Sequence, residues 1–257
     1  MEEMKMNGIS FTAGRWPLET GLHTVIFIHG AAGSKHFWDA QVEGLAGVCN
    51  TVAIDLPGHG DSTGSGFDSI GSYADAVENF IREMEIRSFV PCGLSMGGAI
   101  ALQMLISGGD NCSGGIIVNS GARLKVMPAI FEMIEKNYSG YVSMLPVMGA
   151  SPKTDKGMLA GIISDAEKSS PAVSAGDFTA CNTFNATESL GGINVPLLVL
   201  TAEEDKLAPL KLGKFIHENV PGSKYVNITD AGHFSPVEKP EPVNDAMKNF
   251  IKGVPQP

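Results

Sequence analysis

The sequence predicts an α/β domain built on a mainly parallel sheet with helices on both faces. Three observations predict it. Short apolar runs alternate with helix-patterned segments through the first half of the chain, as in successive strand–helix–strand units. Most of these runs are continuously apolar, which suits strands covered on both faces. The chain has 257 residues, 43% hydrophobic and 18% charged. That is enough for one large domain with a sizeable core, and too apolar for a disordered chain.

The strands follow from the runs. Residues 8–12 form an earlier, more polar strand. Residues 25–28, 52–54, 89–92, 116–118, 197–200 and 225–228 form the buried ones. Pro91 falls inside the fourth of these seven, where it removes a ladder hydrogen bond. That strand is expected to be bulged or short.

The helices have their own signals. Ser72-Tyr73-Ala74-Asp75 reads as a capping box, and Ala76, Val77, Phe80, Ile81 and Met84 recur behind it at helical spacing. Ala99, Ile100, Ala101, Leu102, Met104 and Leu105 mark a second helix. Pro209 suits the first turn of a helix running to about residue 219. A last helix covers 243–251. Residues 124–190 break this rhythm, with no clear strand and frequent methionines and aromatics. They read as a helical insertion between two core strands, leaving 1–123 and 191–257 as the core.

Composition narrows the function. The net charge of −10 and the pI of about 5.0 oppose binding to a phosphate backbone, so no nucleic-acid partner is expected. The first residues, Met1-Glu2-Glu3-Met4-Lys5, lack the apolar run of a signal peptide. No stretch approaches the roughly 20 apolar residues of a membrane span. A cytoplasmic protein with no membrane partner is the expectation. Cys49, Cys92, Cys112 and Cys181 are scattered and suggest neither a zinc knuckle nor a disulfide framework. With no H-E-x-x-H, phosphate-loop or dinucleotide motif, no metal and no cofactor are expected.

The strongest chemical signal is Gly93-Leu94-Ser95-Met96-Gly97. It follows an apolar run and precedes a helix pattern, which is the strand–turn–helix context of a nucleophile elbow. A serine in so sharp a turn needs glycine flanks, and the helix start behind it points partial positive charge at the site. A serine hydroxyl also needs a base. Of His23, His29, His36, His59, His217 and His233, the last stands out. It lies in Ala231-Gly232-His233-Phe234, on a loop between a strand and the last helix. The acid that orients it should close a strand between serine and histidine. Glu203, Glu204 and Asp205 all qualify, and Asp205, last in the turn, is preferred. Two backbone N–H groups should hold an oxyanion: Met96, after the nucleophile, and Ala31, in the small-residue loop His29-Gly30-Ala31-Ala32-Gly33-Ser34.

With these residues in place the chain resembles the α/β-hydrolase superfamily, in its short-lid serine esterase, lactonase and acyltransferase-like branch. The resemblance rests on the 29–34 loop with Trp38, on Asp55-Leu56-Pro57-Gly58-His59-Gly60-Asp61-Ser62, on Gly93 to Gly98, on Glu204-Asp205 and on Ala231-Gly232-His233. It implies a sheet of about eight strands and a helical lid, 124–190, inserted after the sixth strand and covering Ser95. It also implies Trp38, Phe234 and Met144 as substrate contacts, and structural roles for His29 and His59. Serine at the elbow, rather than aspartate, sets the chain apart from the haloalkane dehalogenase and epoxide hydrolase branches. The expected activity is hydrolysis of a small carboxylic ester, lactone or thioester by a monomer or homodimer. An acyltransferase or perhydrolase using the same three residues, and a non-catalytic small-ligand receptor on the same fold, are the competing readings.

Overall fold

The computed structural model describes residues 1–109 and 111–256; Asp110 and Pro257, both within the expected core, lie outside them. Eight strands form one sheet: β1 (Glu2–Met6), β2 (Ile9–Ala13), β3 (Thr24–Ile28), β4 (Asn50–Ile54), β5 (Phe89–Leu94), β6 (Gly115–Val118), β7 (Leu197–Ala202) and β8 (Lys224–Ile228). Their spatial order is β1-β2-β4-β3-β5-β6-β7-β8. The pairs β1–β2 and β2–β4 are antiparallel. All the others are parallel.

The continuous apolar runs have the predicted cause. Successive side chains of a strand point to opposite faces, and here both faces are covered. Ile26 and Ile28 join one buried cluster with Val77, Phe80 and Ile100. Val25 and Phe27 join a second cluster with Val42, Met247 and Phe250. The first layer is carried by α2 (Ile70–Glu83) and α3 (Met96–Ser107), as α1 (Asp39–Leu45) and a helix near the C-terminus carry the second.

Three local expectations are corrected, and one strand is new. β1 has no apolar run to mark it, because it is an edge strand in which only Met4 and Met6 are half-buried. The cap of α2 is Ser69, three residues before the predicted one; its side chain accepts from the Ser72 N–H. Pro209 caps the later helix from outside its first turn. The Pro91 strand is not shortened, since β5 keeps six residues. Its pairing nonetheless slips there. Phe89 bridges Cys112, while Cys92 pairs with Ile116, so the partner segment carries one residue more across the proline.

Between β6 and β7 lie α4 (Pro128–Lys136), α5 (Tyr138–Gly149), α6 (Ala160–Lys168) and α7 (Pro171–Thr183). They share their own buried cluster around Ile130, Ile134, Tyr141 and Leu145. The chain closes with α8 (Leu210–Asn219), the short α9 (Ser235–Glu238) and α10 (Pro240–Ile251). Among the described residues no helix is long and apolar enough to cross a membrane.

Candidate active site

Strands β3 and β5 to β8 run parallel, so their C-terminal ends open on one edge of the sheet. Ligands bind at this edge in open α/β sheets. Every residue singled out for chemistry follows one of these strands.

Ser95 sits between β5 and α3 with φ 55 and ψ −114. A non-glycine residue held there costs of order 1–3 kcal/mol, and persists only where its surroundings over-determine it. The surroundings are visible. A Cβ on Gly93 would collide with the Gly97 carbonyl, and one on Gly97 with the Ile28 carbonyl. Backbone therefore touches backbone on both sides of the turn. Ser120, just past β6, donates from its hydroxyl to the Ser95 carbonyl at 2.7 Å.

Asp205 and His233 come together. His233 Nδ1 lies 2.8 Å from Asp205 Oδ2, and both side chains are buried. The other carboxylate oxygen, Oδ1, accepts from the N–H groups of Leu207 and Ala208, each at 2.8 Å. The carboxylate is thereby fixed at both ends. The two glutamates point elsewhere: Glu204 accepts from Ser151 Oγ, and Glu203 from the Asp230 N–H.

The loop after β3 abuts the elbow, since a Cβ on Gly30 would lie 3.5 Å from Ser95 Cβ. In this loop the Ala32 N–H is engaged by Asp177 and the Gly33 N–H by the Gly30 carbonyl. Among the described residues, the N–H groups of Ala31 and of Met96 have no protein acceptor. For Met96 this is expected of the first residue of a helix.

A model of the alpha/beta hydrolase family matches residues 25–246. The chain belongs to that family. Among its relatives, a pimeloyl-[acyl-carrier protein] methyl ester esterase of Neisseria meningitidis is 25% identical over 245 residues, 90% of this chain and 94% of the relative. A solved structure of a thermophilic esterase is 30% identical, covers 100% of this chain and 98% of its own, and superposes with a TM-score of 0.81. The enol-lactonase from Burkholderia xenovorans has a TM-score of 0.87 at 19% identity, over 98% of this chain and 100% of its own.

The expected substrate contacts of this alpha/beta hydrolase lie in three different settings. Phe234 follows His233, with ring centroids 5.8 Å apart, and is buried against Ala150 and Leu159 of the insertion. Met144 is on α5 and 40% exposed. Trp38 is corrected to a core position. It has no exposed surface and packs on Phe27 at 5.0 Å, because the turn before α1 aims it into the second apolar layer. A cleft of about 300 Å³ does exist between α6 and the 36–37 turn, lined by His36, Phe37, Met158, Ile162 and Lys168. Ser95 and His233 are not among its walls.

Three polar anchors escaped the sequence reading. Asn119, just past β6, donates to the His233 carbonyl at 2.9 Å and to Ser235 Oγ at 2.8 Å. Its only sequence signal is its place at a strand end. Glu238 is a buried carboxylate that accepts from the N–H groups of Gly232 and Phe234, each at 3.0 Å, on either side of His233. It also accepts from the Ser151 N–H at 2.9 Å. Asp177, on α7, is wholly buried. Nothing in the pattern around Glu238 or Asp177 distinguishes them from surface acids.

The motif around Asp55 is explained by a buried ion pair. Lys35 Nζ lies 2.9 Å from Asp55 Oδ2 and 2.9 Å from Asp61 Oδ2. Burial opposes the lysine's charge, but the hydrogen bonds to the two aspartates outweigh it and raise its pKa.

His29 and His59 are neighbours, 4.8 Å between ring centroids. His29 Nε2 accepts from the Leu56 N–H at 3.1 Å, so Nδ1 carries the proton and donates to the Gly30 carbonyl. Burial, with the charge of His59 beside it, lowers the His29 pKa from 6.5 to about 4. His59 faces two acceptors, the Pro57 carbonyl at 3.1 Å and Asp177 Oδ2 at 2.8 Å. Two acceptors call for the doubly protonated ring. Burial opposes that charge, yet the Asp177 carboxylate outweighs burial and the His59 pKa is raised.

Proposed function

We propose that this chain is a serine ester hydrolase acting through an acyl-enzyme on Ser95. The observation that carries the reading is the buried Asp205–His233 pair, opening on the same sheet edge as a serine held at φ 55. A strained serine and an imidazole oriented by a carboxylate, both carried at one sheet edge, are the parts an activated hydroxyl requires.

In this reading His233 takes the Ser95 proton through Nε2 while Oγ attacks the carbonyl carbon. The carbonyl electron pair moves onto oxygen, where the Ala31 and Met96 N–H groups receive it. The tetrahedral adduct collapses, and His233 returns the proton to the departing alkoxide or thiolate. Water, deprotonated by His233, then attacks the acyl carbon and releases the acid. Asp205 holds the imidazole with Nδ1–H toward itself and stabilises the imidazolium of each step. The free N–H groups of Ala31 and Met96 support this use of the loop and the helix start.

The substrate class is a small carboxylic ester, lactone or thioester. Relatives described as a methyl ester esterase and an enol-lactonase support it. The insertion, 124–190, is the lid of this site. Phe234, buried against His233 and the insertion, is its proposed substrate contact, with Met144 on α5.

The test is a p-nitrophenyl ester series offered to wild type and Ser95→Ala side by side, with intact mass measured during turnover. Turnover lost with the mutation, and an acyl adduct on Ser95, are expected. Full turnover by Ser95→Ala would overturn the mechanism.

A further inference from the structure

One residue of the helical insertion reaches into the loop that carries Ala31. Asp177, on α7, has no exposed surface. Its Oδ2 accepts from the Ala32 backbone N–H at 2.9 Å and from His59 Nε2 at 2.8 Å. Its Oδ1 accepts from the Tyr73 hydroxyl at 2.6 Å. A carboxylate taken out of water is costly unless it is paired and hydrogen-bonded, and apolar contact alone would suffice to dock a helix. Three donors from three core segments converge on this one group.

The backbone it holds is itself unusual. Ala32 has φ 56, a left-handed conformation that alanine rarely adopts. A residue with a Cβ stays there only under outside constraint. The Asp177 bond is such a constraint, applied at the Ala32 N–H. That N–H lies in the peptide plane that follows Ala31, one pair of backbone dihedrals from the plane that carries the Ala31 N–H, so holding it restricts how far the adjoining, unengaged Ala31 N–H can turn.

We propose that Asp177 is a positioning residue for the oxyanion loop, by which the insertion holds the Ala31 N–H where the developing oxyanion forms. The insertion thus completes the site as well as covering it. The proposal rests on the reading of Ser95 as nucleophile and of Ala31 as oxyanion donor.

The test separates transition-state support from general packing. Wild type, Asp177→Asn, Asp177→Ala and Tyr73→Phe are compared for kcat and KM on one p-nitrophenyl ester. Each is also titrated with two ligands. A trifluoromethyl ketone accepts Ser95 Oγ at its carbonyl carbon, places the electron pair on oxygen and passes the serine proton to His233. The matching ether has no carbonyl oxygen. Misplacing one donor should cost about 10- to 100-fold in kcat for Asp177→Ala, with KM little changed. Ketone affinity should fall by the same factor and ether affinity should not move.

Asp177→Asn keeps one acceptor and should show the same signature at a smaller size. It is the deciding variant if Asp177→Ala does not fold. Tyr73→Phe should lower the melting temperature and keep kcat. Wild-type kcat and ketone affinity in Asp177→Asn, equal losses of ketone and ether affinity, or a Tyr73→Phe variant as slow as Asp177→Ala would each overturn the proposal. Failure of the underlying reading looks different: Ser95→Ala would then keep turnover and wild type would form no ketone adduct.

Discussion

His233 Nδ1 and Asp205 Oδ2 stand 2.8 Å apart across 28 residues of chain, and the other oxygen of that carboxylate is already occupied by two backbone N–H groups. The aspartate cannot turn away without abandoning three hydrogen bonds. This sets the first prediction. Asp205→Asn presents an amide in place of one acceptor and disturbs the imidazole tautomer, so kcat should fall by about 10⁴-fold. Glu203→Gln and Glu204→Gln should leave kcat near wild type. Steady-state kinetics on one ester decides it; a Glu204→Gln enzyme as slow as Asp205→Asn would remove Asp205 from its role.

Strain at the elbow sets the second. Ser95 holds φ 55, which glycine adopts without the Cβ penalty. Ser95→Gly should therefore unfold at higher denaturant, by about 1 kcal/mol, while losing ester turnover. Equilibrium urea unfolding of the two proteins measures this. A glycine variant less stable than wild type by more than the roughly 1 kcal/mol that glycine's extra unfolded-chain freedom costs would show that the turn stores no strain.

The buried pair Lys35–Asp55 sets the third. Both side chains are essentially out of solvent. Lys35→Met should cost about 3–5 kcal/mol, because it leaves the Asp55 charge buried and unpaired. Adding Asp55→Asn to that variant should recover part of the loss. A double-mutant cycle by denaturant titration reads the coupling, and additive losses would contradict it.

The two facing histidines set the fourth, with opposite signs. His29 has a lowered pKa, about 4 against an ordinary 6.5. Below pH 6.5 the unfolded chain binds a proton that the native ring refuses, so stability falls as pH drops from 6.5 toward 4. His59 has a raised pKa. Its contribution is fully present below 6.5 and is lost as pH rises through the folded value. Unfolding midpoints at a series of pH values should therefore decline more gently on the acid side for His29→Gln than for wild type. Parallel acid limbs would show that His29 is not the group responsible.

Much of this fold is legible in the pattern of side chains, for a local reason. Buried parallel strands must be apolar on both faces, so residues 25–28 and 197–200 stand out as unbroken runs. The elbow is legible because its geometry excludes side chains, which leaves Gly93 and Gly97 no substitute. The first strand was not, because Glu2–Met6 is an edge whose outward residues stay polar. The cap of α2 was misplaced because Ser69 and Ser72 both fit the local rule, and only the helix start decides between them.

The anchors of the site belong to another category. Asp177 meets Ala32 across 145 residues and His59 across 118, and Glu238 reaches Ser151 across 87. An isolated aspartate in an insertion helix carries no mark of such contacts. Trp38 shows the same limit in reverse, since its place beside the oxyanion loop in sequence says nothing about which face of the sheet it fills.

The order of strands and helices, the glycine turn around Ser95 and the candidate acid and base were therefore decided within short stretches of chain, where sterics and periodicity act over a few residues. Which carboxylate meets His233, where Trp38 points and how the insertion grips the loop at Ala32 were decided by contacts between distant segments. Those contacts exist only once both faces of the sheet are covered and water has been excluded from the charges between them.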